Sequence, residues 1–408
     1  MRATILTLSC VLGIALSGAA WANSVYSVGG LGEPVLEEQA RIRALGGSGV
    51  AEHGPREVSL VNPASLAEVE HLILEGTILP EMRRVSTLSF PTETAQETIF
   101  PSLRAAIALP GRIALGGAYV AALNAAFRVQ GAASAGAPSA IQVDGSGGMN
   151  YVRVSLARSV NRQLRLGVDY DFIVGHYLEH WTRTYADSGI QQGRDTLDTN
   201  WEKKGRVRLG AQWVRGDFAL GGVYELSREL TLESTRRAYG VNIKDPPRTL
   251  TLPSGFTVGF SAPVVGRLRA VAQYRRFGWD RSSLQSDLVD FRAEQRFSVG
   301  LERKRSTEEG HHFSGRIPLR LGGYYLEWPD LLPVAGATDV RGGVGKVDEW
   351  GVTLGTGLMS QDRGGSIDFS LEAGSRGNRD TLGASEKFLR FAVSLLVSDE
   401  TWKGSFHR

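Results

Sequence analysis

The sequence predicts an all-β fold: a transmembrane antiparallel barrel of about 14 strands, with an N-terminal plug inside the lumen. Three observations lead to this prediction. The chain opens with a secretory leader, and most of its 408 residues alternate between apolar and polar. The segments that connect the predicted strands alternate along the chain between short turns and long loops. Alternation with a period of two is the pattern of a strand that buries one face, and alternating link lengths are typical of outer-membrane barrels.

Residues 1–22 have the features of a signal peptide. Arg2 precedes an apolar run at 5–16, and residues 20–22 form an A-x-A cleavage site that places Asn23 at the start of the exported chain. Cys10, the single cysteine, lies inside the apolar run. The exported chain therefore has no cysteine, which excludes disulfides and cysteine-based catalysis or metal binding.

Composition and charge exclude two other classes of protein. The chain has 46 basic and 43 acidic residues, and a net charge of +3 does not indicate nucleic-acid binding. No uninterrupted apolar run of about 18 residues follows the leader, so a helical membrane protein is not expected.

The predicted barrel occupies residues 69–398, and a short tail, 399–408, follows it. Each strand has one apolar and one polar face, as a soluble β-sandwich would also have, but a sandwich does not explain the alternating link lengths. We expect both chain ends on the short-turn, periplasmic side. The predicted strands are 69–90, 102–109, 112–123, 149–160, 163–186, 203–215, 217–235, 250–262, 266–280, 291–305, 313–328, 345–360, 364–376 and 386–398.

The segment between the leader and the first strand, residues 23–68, is the predicted plug. Its glycines allow tight turns and close approach to a surrounding wall. A proline preceded by asparagine fixes a local turn. The alternative is a flexible periplasmic leader, which would not need the apolar residues found here. The turn-forming residues are Gly46, Gly47, Gly49, Asn62, Pro63 and Ala64.

Residues 40–51 and 61–67 resemble the N-terminal hatch of the FadL family of outer-membrane transporters for hydrophobic compounds. Family members typically show an Ala-Arg-Ala-Leu-Gly-like opening, and Asn-Pro-Ala-Gly-Leu before the first strand. Here Ile42-Arg43 interrupts the opening and Ser65 replaces the usual glycine, as in a divergent member. The resemblance implies that Arg41 and the turn-forming residues belong to a gating hatch.

The resemblance also implies an apolar pocket that is reached from outside and left through the hatch or through a gap in the wall. Such a gap requires an interrupted strand ladder. The candidates are Pro80, Pro253, Pro263 and Pro318, for each of which an ordinary strand-end or edge accommodation is favoured over a gate. The long predicted loop 124–148 would shape an external groove or act as a flexible cap.

Basic side chains at strand positions predicted to face the lumen could bind the carboxylate of a ligand. The candidates are Arg153, Arg206, Arg208 and Arg269. Mutual neutralisation with lumen acids such as Glu302 and Glu372 is the alternative.

No metal, cofactor or enzymatic activity is expected. His311-His312 lies in a short turn with two glutamates, where a solvated turn is favoured over a metal site. We find no Gly-x-Ser-x-Gly and no His-Glu-x-x-His motif.

Two functional hypotheses follow. The first is a monomeric barrel, exported by the Sec route to the outer membrane of a Gram-negative bacterium, that takes up long-chain fatty acids or aromatic hydrocarbons passively through the hatch. The second is a non-transporting barrel that serves as a structural or secretion-associated scaffold. The expected partners are membrane lipids and lipopolysaccharide, a hydrophobic ligand, and the barrel-assembly machinery during biogenesis. An apolar outer cavity favours the first hypothesis, and a lumen packed with charges above the hatch favours the second.

Overall fold

The computed structural model describes residues 24–27, 32–54, 59–88, 91–132, 140–184, 192–238, 240–282, 290–305, 317–335, 343–359 and 364–399. The predicted leader, the His311-His312 turn and all but the first residue of the tail lie outside these ranges. Within them, no helix is long and apolar enough to cross a membrane.

The strands form one antiparallel sheet that closes on itself as a 14-strand barrel, which confirms the predicted fold. The closing ladder runs from the pair Leu72–Asp399 to the pair Thr87–Ala384. Some barrel strands consist of two consecutive segments, such as β8 with β9 and β10 with β11. The strand segments are β1 (Glu33–Pro34), β2 (Leu72–Thr87), β3 (Glu93–Leu109), β4 (Ile113–Asn124), β5 (Phe127–Ala132), β6 (Ala140–Ser159), β7 (Leu164–Thr184), β8 (Gln192–Trp201), β9 (Gly205–Arg215), β10 (Phe218–Glu225), β11 (Arg228–Ala238), β12 (Val241–Lys244), β13 (Arg248–Leu252), β14 (Gly255–Val265), β15 (Leu268–Phe277), β16 (Asp290–Phe291), β17 (Glu294–Arg303), β18 (Leu319–Pro333), β19 (Val344–Met359), β20 (Gly365–Arg376) and β21 (Ala384–Asp399).

The alternation in the sequence becomes the two faces of the wall. Along β7, Leu166 and Phe172 point outward and are 46% and 48% exposed, whereas Arg165 and Asp169 point inward and are buried. A bilayer core offers no water to unpaired backbone groups, so closure of the sheet satisfies them all within the wall. The exposed apolar face is therefore the lipid-facing surface.

The long-loop end contains more strand than the sequence predicts. β3 begins at Glu93, inside the predicted loop 91–101. The predicted loop 124–148 is largely a hairpin, because Phe127–Ala132 pairs with the first part of β6. These segments extend the wall beyond the length that is needed to cross a bilayer. Their backbone N–H and C=O groups form hydrogen bonds with the neighbouring strand. The predicted short turn at 263–265 lies instead at 266–267.

The four candidate prolines have different surroundings. Pro263 lies at a register shift between β14 and β15. Pro80 lies in β2 beside a register shift that follows Thr77 in its pairing with β3. Pro253 separates β13 from β14, and Pro318 precedes β18. Whether any of these interruptions acts as a gap in the wall stays a prediction.

The N-terminal segment runs through the lumen from the long-loop end to the short-turn end. It begins with a 3-10 turn at Val25–Ser27, continues through the helical turn Ala40–Arg43 and ends in the 3-10 helix Pro63–Glu68, which leads into β2. The two remaining short helices are Trp279–Arg281 and Arg379–Leu382, both at the long-loop end.

This path corrects the expectation that both chain ends lie on the short-turn side. β21 does end there, at Asp399, but Ser24 contacts Glu386 near the opposite end of the same strand. The reason is the set of polar contacts that hold residues 24–27 and 32–34 in the outer half of the barrel, which are described next.

Candidate functional site: the hatch and its ion clusters

Residues 24–27 are held near the long-loop end of the lumen by contacts with the wall. The Ser24 hydroxyl donates to Glu386 Oε1 at 3.1 Å, and the Tyr26 hydroxyl donates to the Ala384 carbonyl at 2.5 Å. The Tyr26 ring packs edge-on against Trp328, with ring centroids 6.3 Å apart. Both Tyr26 and Trp328 are buried, so the hatch fills the outer half of the lumen as well as the inner half.

Glu33 of the hatch holds the outer half together. Its carboxylate receives guanidinium groups from three wall strands: Arg83 at 2.7 Å, Arg376 at 2.6 Å and Arg390 at 2.8 Å. Four wall glutamates complete the buried network. We call this set the outer ion cluster, and its members are Glu33, Glu81, Arg83, Glu349, Glu372, Arg376, Glu386 and Arg390.

A second network, the central ion cluster, ties the middle of the hatch to the wall. Glu302 accepts from Arg41 at 3.1 Å, from Arg269 at 2.6 Å and from Arg320 at 2.8 Å. Glu52 of the hatch binds Arg269 at 2.7 Å and Arg41 at 3.2 Å. The hatch thus contributes one cation and one anion to a five-residue cluster that is almost closed to solvent.

A third network, the side ion cluster, lies around residues 60 and 61 of the hatch. Arg153 binds Asp171 at 2.6 Å and donates to the Leu60 carbonyl at 2.8 Å. Arg208 donates to the Val61 carbonyl. The members of this cluster are Glu37, Arg153, Asp169, Asp171, Arg206, Arg208 and Glu225.

The structure places all four arginines predicted to bind a ligand in these networks. Arg269 belongs to the central ion cluster, and Arg153, Arg206 and Arg208 belong to the side ion cluster. Each of them has a carboxylate partner and is buried. A role in ligand binding stays a prediction, and it would require a ligand to compete with an existing ion pair.

Burial and neighbouring charges act differently on the pKa values of three buried glutamates of the hatch, Glu33, Glu38 and Glu52. Burial alone would raise the pKa of Glu33, but Arg376, Arg83 and Arg390 hold it well below its usual range. Burial opposes ionisation of Glu52 too, yet Arg269 and Arg41 lower its pKa to about 2. At Glu38 burial prevails and the pKa is raised. Glu33 and Glu52 are therefore ionised anchors.

Asn62 connects two parts of the hatch to the wall. Its Oδ1 accepts from the Ala64 amide at 3.0 Å and so caps the 3-10 helix that begins at Pro63. Its Nδ2 donates to the Val50 carbonyl at 2.8 Å and to the Ala211 carbonyl of β9 at 3.1 Å. The predicted Asn-Pro-Ala element thus forms the lower joint of the hatch.

The predicted glycines allow the hatch to turn against the wall. Gly46 and Gly47 have φ values of 69° and 86°, which favour glycine. The amide of Gly46 donates to Thr353 Oγ1 at 3.1 Å, and the amide of Gly49 donates to Gln273 Oε1 at 3.0 Å. These two bonds fix the tight turn to β19 and β15 of the wall.

Wall glycines beneath the hatch are functional residues that the sequence prediction missed. A Cβ at Gly221 would overlap the Val50 carbonyl oxygen, and one at Gly300 would lie 2.8 Å from Leu45 Cβ. Their signal was present, because glycine recurs at lumen-facing positions that otherwise hold polar residues. The wall glycines in contact with the hatch are Gly116, Gly167, Gly210, Gly221, Gly259, Gly300, Gly322 and Gly355.

Several cavities lie beside the hatch in the part of the chain that the structure describes, and two of them exceed about 50 Å³. One of about 280 Å³ lies at the short-turn end and is lined by Arg41, Glu302, Arg320 and Asp368, with Leu358 and Met359. The other, of about 100 Å³, lies beside Pro34, Val35 and Glu37 of the hatch. Its lining combines aromatic and charged side chains: Tyr151, Phe277, Trp279, Arg206, Arg208 and Glu225.

We expect Asn62→Ala to loosen the lower joint of the hatch. The substitution removes three hydrogen bonds and leaves the Val50 and Ala211 carbonyls without that donor, which should destabilise hatch docking by about 1–3 kcal/mol. The measurement is protease protection of the hatch in purified barrels. Asn200→Ala, at an exposed strand position, is the matched control, and equal protection in both variants would contradict the assigned role.

The fold and the filled lumen define a class of protein: a barrel of the kind found in the bacterial outer membrane, closed by its own N-terminal segment. Within that class the chain belongs to the BamG family, whose sequence model matches residues 1–404. No curated protein matches the sequence.

Solved barrels with similar folds have distant sequences. The Ralstonia pickettii toluene transporter TbuX is 17% identical with a TM-score of 0.60, and the match covers 89% of this chain and 99% of that one. A Pseudomonas aeruginosa FadL homologue is 14% identical with a TM-score of 0.63, covering 88% and 98%. The Pseudomonas putida toluene transporter TodX is 14% identical with a TM-score of 0.55, covering 90% and 99%. At such identities the likeness shows the fold alone.

Proposed function

We propose that this protein is a non-transporting barrel of the bacterial outer membrane that works with the barrel-assembly machinery. The family name, BamG, points to that machinery. The observation that carries the proposal is the outer ion cluster, in which Glu33 of the hatch binds Arg83, Arg376 and Arg390. A hatch anchored there blocks the outer half of the lumen, where a transporter would receive its ligand.

Passage of an apolar molecule would be costly in this lumen. Breaking a buried ion pair by removing one partner costs about 3–5 kcal/mol, and a ligand without polar groups offers nothing in exchange. The aromatic-lined cavity beside the hatch, about 100 Å³, is smaller than the roughly 150 Å³ apolar cavity that accepts benzene in an engineered protein. Its lining also includes charged groups, which favour water over hydrocarbon.

A sealed barrel suits an assembly role. Its outer wall can contact other membrane proteins while the filled lumen keeps the membrane closed to solutes. The buried ion pairs make the wall and the hatch one rigid body, which a docking partner can recognise without an opening step.

The experiment is depletion of the protein in its native cells, with two readouts. We expect the folded, heat-modifiable fraction of other outer-membrane barrels to fall severalfold, and uptake of labelled toluene and palmitate to stay unchanged. Normal barrel assembly with reduced uptake would overturn the proposal. Re-expression of the intact chain controls for indirect effects.

Uptake of a small hydrophobic compound is the second candidate function. The observation in its favour is the pocket beside the hatch, whose lining includes Phe277 and Trp279 together with Arg206 and Arg208. This pairing of apolar surface and guanidinium groups suits a small amphiphilic anion. In the same uptake assay, a loss of transport in Trp279→Ala with normal barrel assembly would favour this candidate.

A further inference from the structure

We infer that the short-turn rim of the barrel carries a binding surface for anionic phospholipid on one side of the wall. The surface consists of four exposed arginines at the ends of neighbouring strands, and we call it the arginine belt. It is independent of the proposed function. Its members are Arg112, Arg158, Arg162 and Arg215.

The register of the wall brings these arginines together. Ile113 of β4 pairs with Arg158 of β6, and the Ser159 amide donates to the Arg112 carbonyl at 3.1 Å, so Arg112 lies next to the end of β6. Leu164 of β7 pairs with Trp213 of β9. Continuing that register by two residues places Arg162 beside Arg215. With strands about 5 Å apart, the belt spans roughly 15 Å of the rim.

The belt lies at the level of lipid headgroups. Arg158 continues an outward apolar series in which Val154 and Leu156 are 46% and 47% exposed. Arg215 follows Trp213, whose ring packs edge-on against Phe218 with centroids 6.0 Å apart. Aromatic residues mark the boundary between hydrocarbon and headgroups. Because the short turns face the periplasm, the headgroups at this boundary belong to the phospholipid leaflet.

Within the described ranges, no acidic side chain pairs with the belt. In the part of the chain that the structure describes, none of the four arginines forms an ion pair or a side-chain hydrogen bond. Asp217, the acid nearest in sequence to Arg215, binds Lys304 at 2.8 Å instead. Like charges on adjacent strands destabilise a sheet, so an external anion would relieve a cost that the fold itself leaves in place.

One member of the belt occupies an unfavourable backbone conformation. Arg112 has a φ of 60° in a turn where glycine or asparagine would be accommodated more easily. It is the one non-glycine residue with positive φ in the described ranges. Backbone strain of this kind is characteristic of binding sites and accords with a role for the Arg112 side chain in the belt.

The described short-turn rim carries further basic residues, Arg267 and Lys304, but Lys304 binds Asp217, and the arginines without a protein partner are those of the belt. Among the described residues, the short-turn ends of β19, β20, β21, β2 and β3 carry no exposed lysine or arginine, and β21 ends in Asp399. A general preference for basic residues at the membrane boundary would affect all strands alike. Guanidinium groups bind phosphate oxygens in paired hydrogen bonds, so the belt fits phosphodiester headgroups such as those of phosphatidylglycerol and cardiolipin.

The test uses the purified exported chain in detergent and native mass spectrometry with added phosphatidylglycerol or cardiolipin. In the triple variant Arg158→Gln, Arg162→Gln and Arg215→Gln, we expect at least a fivefold loss of bound anionic lipid. The matched control removes three exposed arginines at the opposite end, with Arg228→Gln, Arg237→Gln and Arg248→Gln, and should bind lipid as the parent does. Phosphatidylethanolamine should bind weakly to all forms.

A charge-conserving variant distinguishes the loss of positive charge from misfolding of the glutamine triple variant. Lysine at positions 158, 162 and 215 should restore most of the lipid binding, since lysine also binds phosphate as a point charge. Equal lipid retention by the glutamine triple variant and its control would overturn the inference. Unchanged lipid binding together with lost co-isolation of the barrel-assembly machinery would also overturn it, because the belt would then be a protein-docking surface.

Discussion

Glu302→Gln is expected to unlock the hatch and make the barrel conduct ions. The substitution removes the charge on which Arg41, Arg269 and Arg320 converge. Loss of one partner from a buried ion network costs about 3–5 kcal/mol, and the uncompensated guanidinium groups will draw water into the lumen. Planar-bilayer recordings should show frequent openings, and cells should become more sensitive to large antibiotics.

The control for this experiment is Glu233→Gln, which removes the same charge from an exposed pair with Lys244. Exposed pairs contribute little to stability, so the control barrel should remain closed. Identical recordings from the two variants would mean that the central ion cluster does not hold the hatch.

Gly221→Ala is expected to displace the hatch from the wall. The added methyl group would overlap the Val50 carbonyl, and overpacking of this kind costs about 1–3 kcal/mol. Because the predicted exported chain lacks cysteine, Ser48→Cys provides a reporter at a buried hatch position. A membrane-impermeant maleimide should label this cysteine several times faster when Gly221→Ala is present.

Gly222→Ala is the matched control, since the neighbouring glycine points outward. Its Cβ would meet nothing closer than the Thr257 carbonyl oxygen at 4.0 Å. Equal labelling rates in the two backgrounds would contradict the contact between Gly221 and the hatch.

The fold was predictable because a barrel wall imposes local rules. Each strand alternates between lipid and lumen, so residues such as Leu166 and Asp169 reveal their faces without any knowledge of the partner strands. The hatch was predictable for a similar reason. The turn at Gly46 and Gly47 and the cap formed by Asn62 depend on neighbours in sequence.

The partners of the lumen charges could not be predicted. Arg83 and Arg390 are separated by most of the chain, yet both bind Glu33. Alternation shows that such side chains face inward, but not which strands lie opposite one another across the lumen. The direction of residues 24–27 depends on similarly distant contacts, such as that between Ser24 and Glu386, so no local pattern could predict it.

The route of the hatch has a consequence for the order in which the protein is built. Ser24 and Glu386, in contact at 3.1 Å, are separated by 362 positions in the chain. Contacts of such long range form late and slow folding. The closing seam between β2 and β21 also surrounds a segment that reaches the far end of the lumen. The pairing of β2 with β21 must therefore form after the hatch has entered the lumen. A barrel that closed earlier would have an empty lumen.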